Sequence, residues 1–285
     1  MSFAPLSGLL WPIILIAALS AYIARPKEVR MSNLIVLGSG TALPDAEREN
    51  SGYVWQSAAG LVLLDCGGSP YRRMLKYGLD PRQLRAIFIS HNHPDHLMGL
   101  PSLLLHLWLA QHNGELLVFG NSRTIATAEA VVQAADLGIH AIKPQFQTLD
   151  DAGGKVELPF DLGATLTTAP TYHSRPTLAL RIDQTGQGSL VYGADSGPCA
   201  ALVELSDHAH TLIHECTVST PFDTHSTPEQ AATTAQNAGV QRLILTHYSP
   251  INTAPEAEVL ARVATIFKGE VLIAYDGAVF ALDAG

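Results

Sequence analysis

Six consecutive residues, HNHPDH at 91–96, constrain this chain more than any other segment. They place three imidazoles and one carboxylate within a single turn: His91, His93, Asp95 and His96. Such side chains are preferred ligands of zinc, and they also bind manganese or iron. The residues at 86–90 are apolar and predict a buried strand, and a helix is predicted from 97 onward. The sequence therefore predicts a metal site on a loop between a strand and a helix.

The overall composition is apolar and acidic. The chain has 285 residues, of which 47% are hydrophobic, enough for one large domain or two small ones. Its 17 Lys and Arg against 26 Asp and Glu give a net charge of −9, whereas proteins that bind nucleic acid usually carry a basic face. One group of basic residues is interpreted as a solvated helix face and loop: Arg72, Arg73, Lys76, Arg82 and Arg85.

The cysteines indicate the cellular compartment. Cys66, Cys199 and Cys216 are odd in number and widely spaced, so they predict neither a disulfide framework nor a CxxC zinc knuckle. A reducing cytosol is the simplest environment for such a chain. We therefore expect a cytoplasmic location.

The first thirty residues, 1–30, form a separate segment with two open interpretations. The stretch 9–24 is almost wholly apolar, and basic residues follow at Arg25, Lys27 and Arg30. A spanning helix needs about 20 apolar residues, and basic residues after it favour a catalytic domain on the cytoplasmic side. On that interpretation the segment is a membrane tether. On the other it is an unused extension ahead of a natural start at Met31.

The remaining residues, 31–285, are predicted to form one continuous domain without repeats or long linkers. Strands and helices follow each other in two strand-rich halves, which favours two packed sheets with helices outside them. Strands are predicted at 34–37, 53–56, 61–65, 86–90, 164–169, 177–183, 189–193, 211–214, 242–246, 271–274 and 278–282. Helices are predicted at 70–77, 97–111, 122–136, 228–238 and 255–267.

The second half of the chain supplies further candidate ligands. His173, Asp195 and His247 each follow a predicted strand. Because loops at one edge of a sandwich converge in space, these residues are expected to meet the HNHPDH turn. Two cations about 3.5–4 Å apart can clamp both oxygens of a displacement and generate a hydroxide from a shared water near neutral pH. The pattern therefore favours a dinuclear hydrolytic site.

These segments together resemble the metallo-β-lactamase superfamily and, within it, the ribonuclease Z branch. The resemblance covers nearly all of 31–285. It is carried by HNHPDH with the LMGLP that follows it, and by six further segments. These are GSGTALP at 38–44, LLDCG at 63–67, YHSRPTLALRI around His173, YGADSG around Asp195, HECT at 214–217 with HST at 225–227, and ILTHYSP at 244–250.

The resemblance implies an α+β fold, a four-layer αββα sandwich, that binds two divalent metal ions, usually zinc, with manganese or iron as alternatives. The implied ligands of the first ion are His91, His93 and His173. Those of the second are Asp95, His96 and His247, and Asp195 bridges the two. The branch also implies a homodimer.

Three further roles follow for residues of the matching motifs. Asp95 is expected to orient or deprotonate the nucleophile. His225, oriented by Glu215, is expected to stabilise developing charge or protonate the leaving oxygen. Asp65 is expected to support the ligands through hydrogen bonds.

One departure from the ribonuclease Z pattern bears on the substrate. In that branch a long arm that grips tRNA is inserted between the third and fourth motifs. Here His173 and Asp195 are only 22 positions apart and are joined by a predicted hairpin with its turn at 184–188. We therefore expect a zinc-dependent hydrolase that cleaves phosphodiester bonds in a small-molecule or unidentified ester substrate.

Three alternatives remain beside this expectation. The first is a tRNA 3′-processing endonuclease that grips nucleic acid in some other way. The second is a sulfatase, lactonase or thioesterase of the same fold. The third, a tethered binding protein with a degenerate site, is disfavoured because all seven expected ligands are intact.

Overall fold

Two seven-stranded sheets, each with helices on its outer face, make up the part of the chain that the computed structural model describes, residues 32–283. The predicted N-terminal segment 1–30, and with it the tether and the extension, lies outside the described residues. Within 32–283, none of the helices combines the length and the hydropathy that a membrane crossing requires.

The first sheet has the order β14-β1-β2-β3-β4-β5-β6. Its strands are β1 (Asn33–Gly38), β2 (Gly52–Ser57), β3 (Gly60–Leu64), β4 (Leu84–Ile89), β5 (Leu117–Gly120), β6 (Gln145–Thr148) and β14 (Val279–Ala281). The second sheet has the order β13-β12-β11-β10-β9-β8-β7. Its strands are β7 (Gly154–Val156), β8 (Thr165–Pro170), β9 (Leu178–Asp183), β10 (Leu190–Tyr192), β11 (Thr211–Glu215), β12 (Arg242–Thr246) and β13 (Glu270–Ile273).

The helices flank these sheets. They are α1 (Pro70–Lys76), α2 (Pro94–Leu97), α3 (Leu100–Leu109), α4 (Ser122–Ala134), α5 (Ala200–Leu205), α6 (Pro228–Ala238) and α7 (Glu256–Ile266), with one 3-10 turn at Pro81–Gln83.

Side-chain alternation along the strands produces three separate cores. In β1, Leu34 and Val36 face the second sheet, whereas Ile35 and Leu37 pack with the helices outside the first sheet. A third core lies between the second sheet and α5, α6 and α7. Three cores between successive layers require four layers, as expected when both faces of each sheet are buried. The predicted α+β, four-layer αββα sandwich is confirmed.

Some local predictions were wrong. The helix predicted at 97–111 is interrupted around Gly99. The first helix, α2, has Pro94 at its first position and ends at Leu97, and the second, α3, begins at Leu100. Asp95 and His96 therefore lie in a helix rather than in a loop. The prediction also missed β5, β6, β7 and α5, of which β6 and β7 are short, partly exposed strands.

Arg73 was assigned to a solvated helix face, and it is buried instead. Its Nε donates a 2.9 Å hydrogen bond to Leu37 O, and its guanidinium pairs with Asp276. Asp276 also accepts hydrogen bonds from the backbone nitrogens of Ser39 and Glu49. This buried pair holds the loop between β13 and β14 against the start of the first sheet.

A substitution at Gly67 tests how tightly the HNHPDH turn is packed. A Cβ at this position would lie 1.9 Å from the backbone oxygen of Asp95. We predict that Gly67→Ala lowers the free energy of unfolding by about 3 kcal/mol, because the turn must move away. Urea denaturation followed by circular dichroism measures this loss.

Gly78→Ala is the matched control, because Gly78 has φ +77° with open space around it. Its cost is that of the left-handed conformation alone, about 1 kcal/mol. Equal losses in the two variants would show that the turn is not tightly held.

Candidate metal centre

The seven predicted ligands converge into two groups of atoms at one edge of the sandwich. Within each group, the candidate donor atoms all lie within 4.8 Å of one another. The first group contains His91, His93, His173 and Asp195, and the second contains Asp95, His96 and His247. The structure therefore places together the residues that the sequence had assigned to each ion.

Strand direction explains why residues so distant in sequence meet. β10, β11 and β12 pair in parallel, so their carboxyl ends reach the same edge of the second sheet. Asp195 follows β10 and His247 follows β12, while the HNHPDH turn follows β4 of the first sheet. His247 adopts a left-handed backbone conformation with φ 50°, which is uncommon outside glycine.

The first group is built around the Nδ1 atom of His93. This atom lies 2.9 Å from His91 Nε2 and 3.2 Å from His173 Nε2. Oδ2 of Asp195 lies 3.9 Å from both of those Nε2 atoms. Three imidazole nitrogens and one carboxylate oxygen thus face a common centre.

The second group is built around Oδ2 of Asp95. This oxygen lies 3.2 Å from His96 Nε2 and 3.3 Å from His247 Nε2. Asp195 reaches this group as well, since its Oδ1 lies 3.5 Å from His96 Nε2 and its Oδ2 lies 3.8 Å from His247 Nε2. Asp195 is therefore the carboxylate common to both groups.

Asp65 determines which nitrogen of two histidines faces the centre. Its Oδ2 accepts from His96 Nδ1 at 2.6 Å and from the Ser90 hydroxyl at 2.8 Å. Because Ser90 Oγ has given its proton to Asp65, it can only accept from His91 Nδ1, 3.0 Å away. In their neutral forms both histidines then carry the proton on Nδ1, which leaves the Nε2 lone pair to bind a cation.

Two further histidines are held in the same way. His173 Nδ1 lies 2.9 Å from the backbone oxygen of Thr224, which can only accept. His225 Nδ1 lies 2.8 Å from Oε1 of Glu215. The ring of His225 lies 4.9 Å from that of His173 and stacks 6.0 Å from that of His247. The structure thus places the two other predicted site residues, His225 and Glu215, beside both groups.

Sequence analysis missed Ser90 and Thr224, and it had assigned Asp65. Ser90 immediately precedes the HNHPDH turn, but a serine there has no distinguishing pattern. Thr224 contributes only a backbone oxygen, for which no side-chain signal exists.

Burial and neighbouring charges keep Asp195 ionised and favour the neutral form of the three first-group imidazoles. Burial lowers the pKa of His91, His93 and His173. Burial alone would raise the pKa of Asp195, but the neighbouring His247 and His96 hold it well below its usual value. Neutral imidazoles and ionised carboxylates are the states that bind a cation.

The histidines beside the carboxylates shift the other way. Burial lowers the pKa of His96 and of His247, but the nearby carboxylates, Asp195 foremost, outweigh it and raise both. For His225, burial likewise lowers the pKa and Glu215 raises it overall. Among the described residues, His96 Nε2 is buried without a hydrogen-bond partner, which marks a position that a cation would satisfy. The donor set therefore fits a divalent metal ion.

Comparison with known proteins identifies the family. The Beta-lactamase superfamily domain matches residues 61–248. A ribonuclease Z of Mycobacterium sp. (strain KMS) is 30% identical over 272 residues, covering 86% of this chain and 94% of the relative. The chain belongs to the β-lactamase superfamily. Several curated relatives at about 30% identity are named ribonuclease Z, as the sequence motifs had indicated.

Solved structures of the superfamily share the fold. The metallo-β-lactamase fold protein YhfI from Bacillus subtilis has a TM-score of 0.73 at 26% identity and covers 88% of this chain and 98% of its own. A diphosphatase from the PhnP family has a TM-score of 0.70 at 22% identity, covering 88% and 99%. Membership of the superfamily implies divalent metal ions, and the histidine and aspartate groups fit them.

Asp65→Asn tests whether this superfamily member needs the Asp65 hydrogen bonds to bind metal. Oδ1 of Asp65 accepts from Ser90 N, and Oδ2 accepts from His96 Nδ1 and the Ser90 hydroxyl, so an amide nitrogen at either position removes an acceptor that holds these groups. We predict that zinc affinity falls about 10–100-fold. Competition with a chromophoric chelator measures it.

Asp80→Asn is the control, since Asp80 pairs with Arg82 away from the site. Zinc binding by Asp65→Asn as tight as that of the wild type would contradict the role assigned to Asp65.

Proposed function

We propose that the chain is a hydrolase with two zinc ions that cleaves phosphodiester bonds in a small substrate. The observation that carries this proposal is the pair of donor groups joined by one carboxylate, Asp195. Curated relatives at 30% identity are named ribonuclease Z, and a ribonuclease acts on phosphodiester bonds. The chain is thus a metal-dependent hydrolase, and the proposal concerns its ligands, its metal and its substrate.

The proposed ligands follow from the geometry of the two groups. His91, His93 and His173 would hold one ion, Asp95, His96 and His247 would hold the other, and Asp195 would contact both. When bound, two such ions supply Lewis acidity toward the phosphoryl group and acidify a water nucleophile. Zinc is proposed because imidazole-rich sites with a few carboxylates favour it.

The protein's own groups handle the protons. Asp95 is ionised and lies between His96 and His247, where it can orient the attacking water or accept its proton. His225 is half-buried beside Glu215, which favours the imidazolium form. A protonated His225 can stabilise developing charge or donate a proton to the leaving oxygen.

The cleft beside the site fits a small substrate. It has a volume of about 380 Å³ and adjoins Asp95. None of its lining residues carries a positive charge: Ala42, Asn50, Gly68, Pro94, Asp95, Met98 and Gly99. The segment between His173 and Asp195 is the β9–β10 hairpin, and its short turn at 184–188 contains no inserted arm. In the predicted basic group, Arg73 and Arg82 are engaged in ion pairs.

A tRNA-processing endonuclease is the second candidate. It is favoured by the curated ribonuclease Z relatives, which the chain matches over 94% of their length. The acidic net charge of −9 and a cleft lined by no positively charged residue weigh against strong electrostatic binding of a polyanion.

Asp195→Ala tests the two-ion proposal. We predict that the wild type binds two zinc ions and hydrolyses bis(p-nitrophenyl) phosphate. The variant should lose at least about 1,000-fold in kcat/KM, because one carboxylate serves both groups. Elemental analysis and release of p-nitrophenolate measure the two effects.

Asp207→Ala, at an exposed carboxylate that belongs to neither donor group, should leave turnover unchanged. Aryl sulfate, lactone and thioester substrates and a tRNA precursor complete the panel. Hydrolysis of a sulfate, lactone or thioester without turnover of any phosphodiester would refute the proposed bond specificity. Cleavage of the tRNA precursor at low salt would favour the second candidate.

His225→Ala tests proton donation to the leaving group. We predict a loss of about 100–10,000-fold for a phosphodiester with an alkoxide leaving group, because that oxygen needs a proton. The loss should be much smaller for p-nitrophenolate, which leaves without one. His106→Ala, at an exposed histidine on α3, is the control. Equal losses for both leaving groups would exclude His225 as the proton donor.

A further inference from the structure

The carboxylate of Glu215 accepts three hydrogen bonds in addition to the one from His225. Its Oε1 accepts from His225 Nδ1 at 2.8 Å and from the backbone nitrogen of Ser196 at 3.1 Å. Its Oε2 accepts from the backbone nitrogen of Thr217 at 3.0 Å and also from the Thr217 hydroxyl. The carboxylate is 1% exposed, so these four donors replace the water that burial removes.

The Thr217 hydroxyl continues this network to a candidate ligand. Its oxygen lies 2.8 Å from His247 Nδ1. A hydroxyl has one proton, and Thr217 directs it at Glu215, so toward His247 it can only accept. His247 must then carry its proton on Nδ1, and its Nε2 faces Asp95 at 3.3 Å and Asp195 at 3.8 Å.

We propose that Thr217 is a positioning residue that fixes His247 in its metal-binding tautomer. Glu215 thus holds His225 directly and His247 through Thr217. This inference rests on the proposed function in taking the second group, Asp95, His96 and His247, as an ion position. It assigns the orientation of that position to a side chain outside the seven proposed ligands.

Ser90 offers a matched comparison on the opposite side of the centre. Its hydroxyl links Asp65 to His91 just as Thr217 links Glu215 to His247. Ser90 therefore orients a proposed ligand of the first ion, His91, and Thr217 orients a proposed ligand of the second, His247. Removing either hydroxyl should weaken a different binding event.

The experiment titrates zinc into metal-free protein and follows each binding event by chelator competition. Thr217→Val keeps the shape of the side chain and removes its hydrogen bonds, whereas Thr217→Ser keeps the hydroxyl. We expect Thr217→Val to weaken one of the two events about 10–100-fold and to leave the other unchanged. Thr217→Ser should restore wild-type affinity. Ser90→Ala should weaken the event that Thr217→Val spares.

A spectroscopic readout accompanies the titration. In cobalt-loaded protein, Thr217→Val should change the visible absorption of one ion and not of the other. If Thr217→Val does not fold, ¹⁵N NMR of the zinc-loaded wild type shows instead which ring nitrogen of His247 carries the proton. A proton on Nδ1 supports the assignment, and a proton on Nε2 overturns it.

Two results of the titration would also overturn the assignment. One is tight binding of both ions by Thr217→Val. The other is an equal loss in Thr217→Ser, which would show that shape rather than the hydroxyl matters. The titration uses zinc alone, so its result does not depend on the substrate. If Thr217→Val weakens one binding event selectively but the wild type hydrolyses no phosphodiester, only the proposed function is refuted. A wild type that binds a single ion overturns both proposals.

Discussion

The buried carboxylate of Asp65 is the constraint on which the rest of the centre depends. It lies at the end of β3, is fully buried and adopts a left-handed backbone conformation with φ 58°. Burying a carboxylate costs several kcal/mol unless donors surround it. The donors here are the nitrogen and hydroxyl of Ser90, His96 Nδ1 and the Tyr192 hydroxyl. Because Tyr192 belongs to β10, the same carboxylate joins the two sheets and orients the candidate ligands.

Glu215 repeats this design from the second sheet. Each carboxylate binds one histidine directly, His96 or His225, and reaches a second through a hydroxyl. Two rigid sheets therefore contribute to one centre, and each fixes the tautomers of the rings on its own side. A ligand orientation fixed in this way needs no reorganisation when a cation binds, which favours tight binding.

The sequence was sufficient to predict the fold and to identify the residues that converge at the site, because those signals are local. The HNHPDH turn groups its side chains by spacing, and His247 could be placed by the strand before it. The remaining features depend on contacts between distant segments. At the break before α3, Gly99 N donates a 2.8 Å hydrogen bond to Cys66 O instead of to the preceding helical turn, and a Cβ at Gly99 would lie 2.6 Å from that oxygen. No apolar pattern along the helix records that approach, and none records the acceptor role of Thr217.

In this topology the residues of the candidate metal centre and the position at which an arm could be inserted lie on different parts of the chain. Most candidate ligands follow strands that are buried on both faces, β4, β10 and β12, so their positions are determined by the cores. The strands of the β9–β10 hairpin are part of the second sheet, but its turn, 184–188, is partly exposed and contributes no ligand. A segment inserted or deleted at its turn, 184–188, changes neither core packing nor either donor group. The length of that turn can therefore change while the centre is preserved, which is why an intact centre here is compatible with the proposed small substrate.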